Sequence, residues 1–553
     1  MKYRNQIFNR NSLLLAGFAF LTFTNPIKAQ VKDREIPKEW DNLVDGGRFR
    51  DLFLPMHKGK IVKKPNWGAD AVMNRYVDNG IEDQKNSYWG GNIKYANGQY
   101  HLFVCGWPES SEKGHMAWPG STVYHTTSKR INGPYKIVDT IGKGHNPEIF
   151  QAKDGSYVIY VIDGSYRSKT LNGPWTYQKL SFDNRDRPII EGLSNLTFAK
   201  REDGSQLMIC RGGGVWFSEN GVSPYMQVSN QRVYPPVEGE FEDPVVWKDH
   251  IQYHLIVNDW LGRIAFYQRS PDGINWVTDP GQAYTIGIAK HKDGNKEEWY
   301  KYERIKIFQD EYGRAISSNF AVIDTIKWED KANDKYSSKN IIIPLTKPVL
   351  LEFLNPKLPK ADEEIKVLVK AEKGFDPNKD LDLKSLRFGS NETVNYGGGS
   401  QVLRTEKAKD GLILIFSKQD HKLNQDEFAP KLLGKRKDGK LLFGYTRVPW
   451  AKYEKGILSA RKPVFLVESG KSVVKMEVQN FGVKPSSNAK IKLYQIVNGE
   501  TKILAEHALN QIKPYEKELV SINLKEFVPS DEYSIIIDEE GSKLNEWKFK
   551  MKD

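Results

Sequence analysis

Acidic and basic side chains stand at or just before the beginnings of several apolar segments of this sequence. The candidate catalytic carboxyl groups are Glu148, Glu191, Asp243 and Glu303, and the candidate substrate-binding groups beside them are His145, Glu242 and Arg304. Two or three carboxyl groups in one pocket suit glycoside hydrolysis, in which one stays ionised and another, with a raised pKa, protonates the leaving oxygen. A strand-start cap is the structural alternative for Asp243, because Pro244 follows it.

Aromatic residues accompany these groups. Trp107 and Trp118 lie on one connection between apolar segments. The face of a tryptophan ring suits the apolar side of a sugar ring. Core packing is the alternative for both. The planar fork of Arg304 suits a carboxylate or a sulfate.

The elements that must position these residues recur along the chain. Apolar runs paired across a short turn begin at residues 92, 146, 194, 242 and 303 (NIKYANGQYHLFV, NPEIFQAKDGSYVIYV, SNLTFAKREDGSQLMIC, EDPVVWKDHIQYHLIV and ERIKIFQDEYGRAISSN). A period of about 50 residues is typical of a propeller or solenoid. Five unrelated hairpins in one or two sandwiches are the alternative.

A second turn follows each of the first four units, as SKRINGPYK, SKTLNGPWT, SENGVSPYM and SPDGINW. It predicts third and fourth strands, and four antiparallel strands repeated five times make a five-bladed β-propeller, assigned to residues 30–349. The run from Leu43 to Leu54 is predicted to be a strand that closes the last blade. Inner strands of a propeller aim their first residues at one end of the channel, so the candidate site residues should converge there.

The chain changes character near Leu350, where Lys-rich loops begin to separate strand-like runs. Residues 350–461 are predicted to form a β-rich sandwich-like module, and residues 462–553 a seven-stranded β-sandwich of immunoglobulin-like type. The last stretch resembles the adhesion-like modules appended to bacterial exported enzymes. The predicted fold class is therefore all-β.

The first 29 residues have the features of a signal peptide, since basic residues precede the apolar run from Leu13 to Phe23 and Ala29 offers a cleavage site. We expect a periplasmic or secreted protein without membrane insertion. The formal net charge is +12, and we expect no nucleic-acid partner. A dispersed basic surface is the leading interpretation, and an acidic or sulfated glycan partner is the alternative.

The propeller portion resembles the five-bladed glycoside hydrolases of family 43 and its relatives. The resemblance rests on IIEGLSNL, which places Glu191-Gly192 where that family has its general acid, and on HNPEIF, which places Glu148 where the family has an Asp that tunes pKa. At the first blade, SYWGGNIKY offers Gly90 and Gly91 in place of the family's Asp base. The replacements considered are Asp70, Glu82 and Asp83 on the preceding loop, and Asp243 and Glu303 on the opposite wall.

We therefore predict an exported glycoside hydrolase acting on a plant or algal polysaccharide, resembling xylosidases, arabinosidases and galactosidases. A polysaccharide lyase acting on a uronate-containing glycan is one alternative, with roles drawn from His145, Tyr124, His254, Tyr302 and Arg304. A non-catalytic glycan-binding propeller is the other. We expect no cofactor and no metal ligands, with a divalent cation at the propeller axis as the alternative; no P-loop, dinucleotide fingerprint or HExxH motif is present.

Overall fold

The computed structural model describes residues 31–61, 72, 75–222, 224–360, 363–497, 499–524, 532–539 and 542–550. The predicted signal peptide and Asp70 lie outside these residues. Among the described residues the regular structure is β-strand apart from short helices, which confirms the all-β fold class. The 3₁₀ helices are Lys38–Asn42, Phe49–Leu52 and Gly114–Gly120, and the α-helices are α1 (Pro377–Asp380) and α2 (Asn391–Asn395).

Five consecutive sheets occupy residues 86–344. The first contains β1 (Asn86–Ala96), β2 (Gln99–Pro108), β3 (Thr122–Ser128) and β4 (Lys136–Lys143), and the second β5 (Glu148–Gln151), β6 (Tyr157–Val161), β7 (Gly164–Ser168) and β8 (Thr176–Gln178). The third contains β9 (Phe182–Asp183), β10 (Thr197–Lys200), β11 (Gln206–Ile209), β12 (Val215–Ser218) and β13 (Tyr225–Gln227). The fourth contains β14 (Phe241–Lys248), β15 (Tyr253–Asp259), β16 (Ile264–Ser270), β17 (Val277–Thr278) and β18 (Tyr284–Thr285), and the fifth β19 (Lys301–Gln309), β20 (Ala315–Ile323) and β21 (Ser338–Pro344).

Each of the five predicted hairpins is present as an antiparallel pair, namely β1–β2, β5–β6, β10–β11, β14–β15 and β19–β20. In the first hairpin Asn97 and Gly98 have φ values of 51° and 72°. Positive φ at both central residues is what a type I′ hairpin turn requires, and Asn-Gly is the pair that adopts it most readily. The four predicted second turns also fall between third and fourth strands of their sheets.

The inner strands β1, β5, β10, β14 and β19 contact one another in order, and β19 returns to contact β1. The five sheets therefore close into a circle, which we call the five-sheet ring. Residues before β1 also join the fifth sheet. Ile81 bridges Asn340 and Phe53 bridges Leu345.

The stretch from Leu43 to Leu54 is not the strand that its apolar residues predicted. It contains the 3₁₀ helix Phe49–Leu52, and only its end reaches the fifth sheet, through a hydrogen bond from the Leu54 N–H to the Pro344 carbonyl. The carboxylate of Asp51 accepts hydrogen bonds from the N–H groups of Gly46 and Arg48. This local capping satisfies the backbone without a ladder partner.

A seven-stranded sheet follows the ring. Its strands are β22 (Leu351–Phe353), β23 (Ile365–Lys370), β24 (Arg387–Gly389), β25 (Ser400–Ala408), β26 (Gly411–Phe416), β27 (Lys431–Lys435) and β28 (Leu441–Tyr445). Phe428, Leu433 and Phe443 share one hydrophobic core with Trp247 and Phe320 of the ring. The sheet is thus packed directly on the ring.

The remaining strands form two four-stranded sheets around one core. They are β29 (Leu458–Ala460), β30 (Val464–Glu468), β31 (Lys471–Asn480), β32 (Ala489–Val497), β33 (Glu500–Leu509), β34 (Lys517–Leu524), β35 (Glu532–Glu539) and β36 (Ser542–Lys550). Seven of these eight described strands, β30 to β36, lie within residues 462–553, for which seven strands were predicted. β29, which the predicted boundary assigned to the middle module, pairs with β31. No helix among the described residues is long and apolar enough to cross a membrane.

Candidate functional site

Five equivalent residues of the inner strands share an unusual backbone conformation. Gly90, Asn146, Asn195, Asp243 and Arg304 stand at or just before the starts of the regular ladders, with φ values of 41°, 55°, 50°, 58° and 53°. Register shifts in the ladders flank three of them, at residues 89–91, 242–245 and 303–306. Left-handed backbone costs free energy for a residue with a side chain, and it persists only where the surroundings hold it. The repeat therefore builds the same turn five times round the axis.

Four of these residues are joined by a chain of side-chain hydrogen bonds. Arg304 Nη1 donates to Asp243 Oδ1 at 2.6 Å, and Asn195 Nδ2 donates to the same oxygen at 3.1 Å. Asn146 Nδ2 in turn donates to Asn195 Oδ1 at 3.1 Å. The carboxylate of Asp243 only accepts hydrogen bonds, so Asn195 must turn its NH₂ group towards Asp243. Asn146 must in turn direct its NH₂ group towards Oδ1 of Asn195, so both side-chain amides have the same orientation round the axis. The Oδ1 atom of Asn146 is thereby left facing the first inner strand.

The first strand contributes no side chain to close this chain. Asn146 Oδ1 and the Nε and Nη2 atoms of Arg304 are buried without a hydrogen-bond partner. A Cβ atom on Gly90 would lie 3.0 Å from Asn146 Oδ1 and 3.8 Å from Arg304 Nε. The gap beside Gly90 therefore brings together one acceptor and two donors, a combination that suits a hydroxyl group or a water molecule.

A cavity of about 340 Å³ lies at this end of the five-sheet ring. Its walls include the indole rings of Trp89, Trp118, Trp260 and Trp328, the imidazoles of His115 and His145, the carboxyl groups of Glu242, Asp243 and Glu303, and the cationic groups of Arg211, Arg304 and Lys327. The volume is at the lower end of the range for small-molecule sites. Aromatic faces and charged hydrogen-bonding groups occur in it together.

Two kinds of segment supply the cavity. One is the start of each inner strand, which provides Trp89, Asn146 and Glu242. The other is the connection from the second to the third strand of a sheet, which provides Trp118 and Trp260. Since neighbouring strands are antiparallel, the second strand ends where the first begins, so both kinds of segment meet at one end of the ring.

Among the three carboxyl groups of the cavity lining, Glu242 is the one most suited to hold a proton. Burial raises its pKa, and the neighbouring charge of Asp243 raises it further. Asn195 Nδ2 donates to its Oε1 at 2.8 Å, and Arg211 Nη1 lies 3.8 Å from the same oxygen. Its side chain remains about one-fifth exposed, so a ligand can reach it.

Glu303 has the opposite tendency. Burial works to raise its pKa, but the ammonium groups of Lys301 and Lys327 outweigh burial and lower it to about 2. Their Nζ atoms lie 2.9 and 2.5 Å from its two oxygens. The Lys327 ammonium also lies 5.0 Å from the ring centre of Trp89. Glu303 is therefore ionised, and its position is fixed from both sides.

The hydrogen bonds of His145, which lines the cavity, indicate which of its ring nitrogens carries the proton. Its Nδ1 lies 2.9 Å from Ser121 Oγ and 3.5 Å from Cys105 Sγ. The hydroxyl proton is donated to the Trp118 carbonyl and the thiol proton to the Trp89 carbonyl. By this count of donors Nδ1 carries the proton, and Nε2 keeps a free lone pair. Burial lowers the pKa of His145 well below 6.5, so the imidazole is neutral at neutral pH.

The structure brings together most of the residues predicted to form the site. His145, Glu242, Asp243, Glu303, Arg304 and Trp118 all line the cavity. Glu148 does not. At this point of the repeat the residue that lines the cavity is Asn146. Glu148 lies two residues farther along the chain, at the start of β5, and lines a second cavity. There it accepts from Thr197 Oγ1 and the Phe198 N–H, and it pairs with Lys306.

Glu191 also lies outside the cavity lining. Its side chain is 41% exposed and pairs with Arg232 at 3.2 Å. Trp107 is 1% exposed, and its indole packs against His115 and His145 behind the cavity wall. For Trp107 the structure shows the core packing that was the alternative.

The remaining alternatives lie elsewhere. Glu82 pairs with Arg75 and Lys339, and Asp83 accepts from the Tyr88 hydroxyl. Of the residues considered for a lyase, only His145 and Arg304 line the cavity. Tyr124, His254 and Tyr302 do not.

Sequence reasoning missed Trp89, Arg211, Trp260, Lys327 and Trp328. All except Trp89 lie on connections from second to third strands. The predicted hairpins already fixed which end of the ring these connections occupy, so charged and aromatic residues just after each second strand were the available signal. Trp89 immediately precedes the Gly90-Gly91 pair. Within the described part of the chain, no three His, Cys, Asp or Glu side chains are arranged to hold a metal ion.

Comparisons with known proteins were made at three levels. No family model matches the chain, and no curated protein matches it. Among solved structures, a thermostable family-43 glycoside hydrolase is 12% identical with a TM-score of 0.31, over 47% of this chain and 89% of that chain. A glycosyl hydrolase from Bacteroides ovatus is 12% identical with a TM-score of 0.31, over 52% and 96%. An engineered family-43 hydrolase with endo-xylanase and exo-arabinofuranosidase activity is 10% identical with a TM-score of 0.32, over 85% and 97%. Because these TM-scores are all below 0.5, the function of this chain is inferred from the residues of its cavity.

Proposed function

We propose that this protein is a glycoside hydrolase, with Glu242 as the general acid. One observation carries the proposal: two carboxyl groups of one tryptophan-walled cavity have pKa values pushed in opposite directions. The pKa of Glu242 is raised by burial, whereas the two lysines lower that of Glu303 to about 2. Such a divergence separates a proton donor from a permanently charged group, as glycoside cleavage requires.

The roles follow from the contacts. Glu242 gives its proton to the leaving glycosidic oxygen as the bond to the anomeric carbon breaks. A water molecule adds to that carbon and passes its proton to Nε2 of His145, the free lone pair of the neutral ring. Glu303 and Asp243 stay charged and support the positive charge that develops on the sugar. Exchange with solvent then restores both proton carriers.

The substrate class follows from what the cavity leaves unsatisfied. Nε and Nη2 of Arg304 and Oδ1 of Asn146 are buried without partners, and a sugar hydroxyl both accepts and donates. The indole faces of Trp118 and Trp260 suit the apolar face of a pyranose or furanose. We propose a plant or algal poly- or oligosaccharide, of the type cleaved by xylosidases, arabinosidases or galactosidases, as the substrate.

We further propose that this substrate carries an acidic group. With Glu242 protonated, the three cations Arg211, Arg304 and Lys327 face only two carboxylates in the cavity lining. One positive charge is thus left for a uronate or sulfate, and an Arg fork matches such a group in two contacts.

A polysaccharide lyase is the second candidate, and His145 is the observation that favours it. A neutral imidazole with a free Nε2 can abstract the proton next to a uronate carboxylate, while Arg211 neutralises that carboxylate. The bond from the neighbouring carbon to the leaving glycosidic oxygen breaks as a carbon–carbon double bond forms, the leaving oxygen takes a proton from the imidazolium or from solvent, and the product carries the double bond.

For the rest of the chain we propose an organisation that fits these contacts. The five-sheet ring is a five-bladed β-propeller, the seven-stranded sheet is a second module that ends before Leu458, and β29 to β36 form an immunoglobulin-like sandwich. We propose that residues 1–29 direct export to the periplasm or the medium, and that the protein neither inserts into membranes nor binds nucleic acid. No cofactor is needed for the chemistry above.

The test compares wild type with Glu242→Gln and Glu191→Gln on neutral and acidic polysaccharides. Reducing ends and ultraviolet absorbance of unsaturated sugars are followed together. Reducing ends without absorbance, lost in Glu242→Gln and kept in Glu191→Gln, are the expected result. Absorbance would establish the lyase instead. Glycan binding without any product would establish a binding module, and loss of hydrolysis in Glu191→Gln alone would return the acid role to Glu191.

A further inference from the structure

A second cavity, of about 260 Å³, lies farther along the inner strands than the tryptophan-walled one. Lys94 follows Gly90 by four residues, and Lys306 and Glu148 follow Arg304 and Asn146 by two. At about 3.3 Å per strand residue, these side chains lie roughly 7–13 Å farther along the axis of the ring. The site is therefore separate from the one described above.

Lysines dominate the charge of this second cavity. Four inner strands contribute one each, and the set is Lys94, Lys200, Lys248 and Lys306. The remaining inner strand, β5, contributes the carboxylate of Glu148, the one acidic group among the lining residues. Four lysines and one glutamate thus line this cavity.

The carboxylate of Glu148 is already fully engaged. One oxygen accepts from the Phe198 N–H at 2.9 Å and from Thr197 Oγ1 at 3.1 Å, and the other pairs with Lys306. Lys248 pairs outside the cavity lining with Glu202, at 2.9 Å. Neither acid is free to neutralise a further lysine.

Lys94 makes no ion pair or hydrogen bond through its ammonium group within the described part of the chain. Burial lowers the pKa of Lys94, and the charge of Glu148 offsets only part of that effect. Lys94 is half-buried, and an ammonium group partly withdrawn from water without a counter-ion costs free energy, which an anion in the cavity would recover.

We propose that this cavity is a second ligand site, in which Lys94 and Lys306 bind one oxyanion group. The shared chemistry is that of a sulfate, a phosphate or a carboxylate. Its source is either the free ion or a charged substituent on a sugar chain. The site does not depend on the proposed hydrolase activity.

The test measures the thermal unfolding midpoint of the full chain and the apparent Kd of two ligands, sodium sulfate and a sulfated oligosaccharide, in separate titrations. Sodium chloride at equal ionic strength is the reference. We compare wild type with Lys94→Met, with Lys136→Met as an exposed single-charge control on β4, and with Arg211→Met as a control for the first cavity. We expect a saturable stabilisation by sulfate, bound about tenfold more weakly by Lys94→Met and unchanged in Lys136→Met. Arg211→Met removes sulfate binding at the first cavity only, so the stabilisation that depends on Lys94 should remain in it.

A folding defect is recognised separately. Without any anion, Lys94→Met should unfold at the same temperature as wild type or higher, because the substitution removes an unpaired ammonium group. Saturation by the oligosaccharide alone, weakened in Lys94→Met, would support a glycan substituent as the source. Equal responses in wild type and Lys94→Met, or no response to either ligand, would overturn the proposal.

Discussion

Arg304 donates from Nη1 to Oδ1 of Asp243 at 2.6 Å, and both residues hold a left-handed backbone at equivalent places on adjacent inner strands. Both side chains are almost fully buried, at 1% and 2% exposure. The backbone N–H of Arg304 adds a hydrogen bond to the second oxygen of Asp243. This pair fixes the orientation of the side-chain amides of Asn195 and Asn146 in the chain of hydrogen bonds that follows. It thereby also determines which atoms are left without a partner beside Gly90.

We expect Asp243→Asn and Arg304→Met each to lower the free energy of unfolding by about 3–5 kcal/mol, since each leaves one buried charge unpaired. The double variant should lose less than the sum of the two, because neither charge then remains. Urea unfolding of the four proteins at pH 7 gives the coupling energy. Strict additivity would show that the two side chains do not stabilise each other.

Glu242→Gln should unfold at a higher temperature than wild type at pH 8, with the difference nearly absent at pH 4. The unfolded carboxyl group loses its proton near pH 4.5, whereas burial and Asp243 raise the pKa in the folded protein. Wild type therefore loses stability as the pH rises from about 4.5 to the raised pKa, by about 1.4 kcal/mol per pKa unit. Gln does not titrate and keeps the acceptor oxygen for Asn195. Equal differences at both pH values would contradict a raised pKa.

The same carboxyl group sets the alkaline limb of activity. The hydrolysis proposed here needs protonated Glu242, so kcat/KM should fall as the pH rises through its pKa. A pH–rate profile with a substrate that the panel identifies measures this. A rate that is independent of pH on the alkaline side would remove Glu242 from the acid role.

Glu303→Gln should destabilise the protein by about 3–5 kcal/mol at pH 7, because Lys301 and Lys327 lose their shared counter-ion. The pKa of Glu303 is about 2 when folded against 4.5 unfolded. Its contribution is therefore complete above pH 4.5 and is lost as the pH falls towards about 2. Denaturant unfolding between pH 3 and pH 7 should show the gap between wild type and variant narrowing with acid.

The matched control is Glu364→Gln, which breaks an exposed pair with Arg404 on the seven-stranded sheet. We expect no measurable loss there, since exposed ion pairs contribute little. A similar loss in both variants would mean that removing any paired glutamate is harmful, and it would contradict a specific role of Lys301 and Lys327.

The strand order of the ring was predictable because its signals are local. Alternating apolar residues and turns such as Asn97-Gly98 determine each hairpin within about 20 residues, and five such units recur in order. The prediction of a strand at residues 43–54 was wrong for an equally local reason. Asp51 accepts hydrogen bonds from backbone N–H groups there and stabilises a 3₁₀ helix in place of a strand, which a pattern of apolar residues does not reveal.

The site was predictable only in part, because register decides which side chains reach the cavity. Glu148 begins β5 and Asn146 lies two residues before it, yet Asn146 lines the tryptophan-walled cavity and Glu148 lines the second, lysine-lined cavity. The five equivalent residues at the cavity have positive φ values. A positive φ shows in the sequence only where it favours glycine, as at Gly90 and Gly91. Lys327 lies on the connection that follows β20, whereas its partner Glu303 lies on β19, so nothing near Lys327 in the sequence indicates the ion pair itself.

Gly90→Ala should be more destabilising than Gly98→Ala, although both glycines have positive φ. The added Cβ would meet Asn146 at 3.0 Å from Oδ1 and 3.3 Å from Cα, whereas Gly98 has no atom within 4 Å of that position. Both variants share a backbone strain of about 1 kcal/mol, and only the first displaces the amide chain. Urea unfolding measures the difference, and substrate binding should weaken in Gly90→Ala alone. Equal effects of the two substitutions would show that the gap beside Gly90 has no role.

Chelation should leave activity and the unfolding temperature unchanged, because each carboxyl group in the cavity lining already has a hydrogen-bond or ion-pair partner among the side chains. Asp243 is held by Arg304, Glu303 by Lys301 and Lys327, and Glu242 by Asn195. A divalent cation entering the cavity would also approach the positive charges of Arg304, Arg211 and Lys327 on its walls. The measurement is hydrolysis and thermal unfolding before and after dialysis against EDTA, with calcium and zinc added back separately. Activity that is lost on dialysis and regained with one of these ions would show that a metal displaces one of these pairs, and the acid role of Glu242 would then have to be re-derived with that ion present.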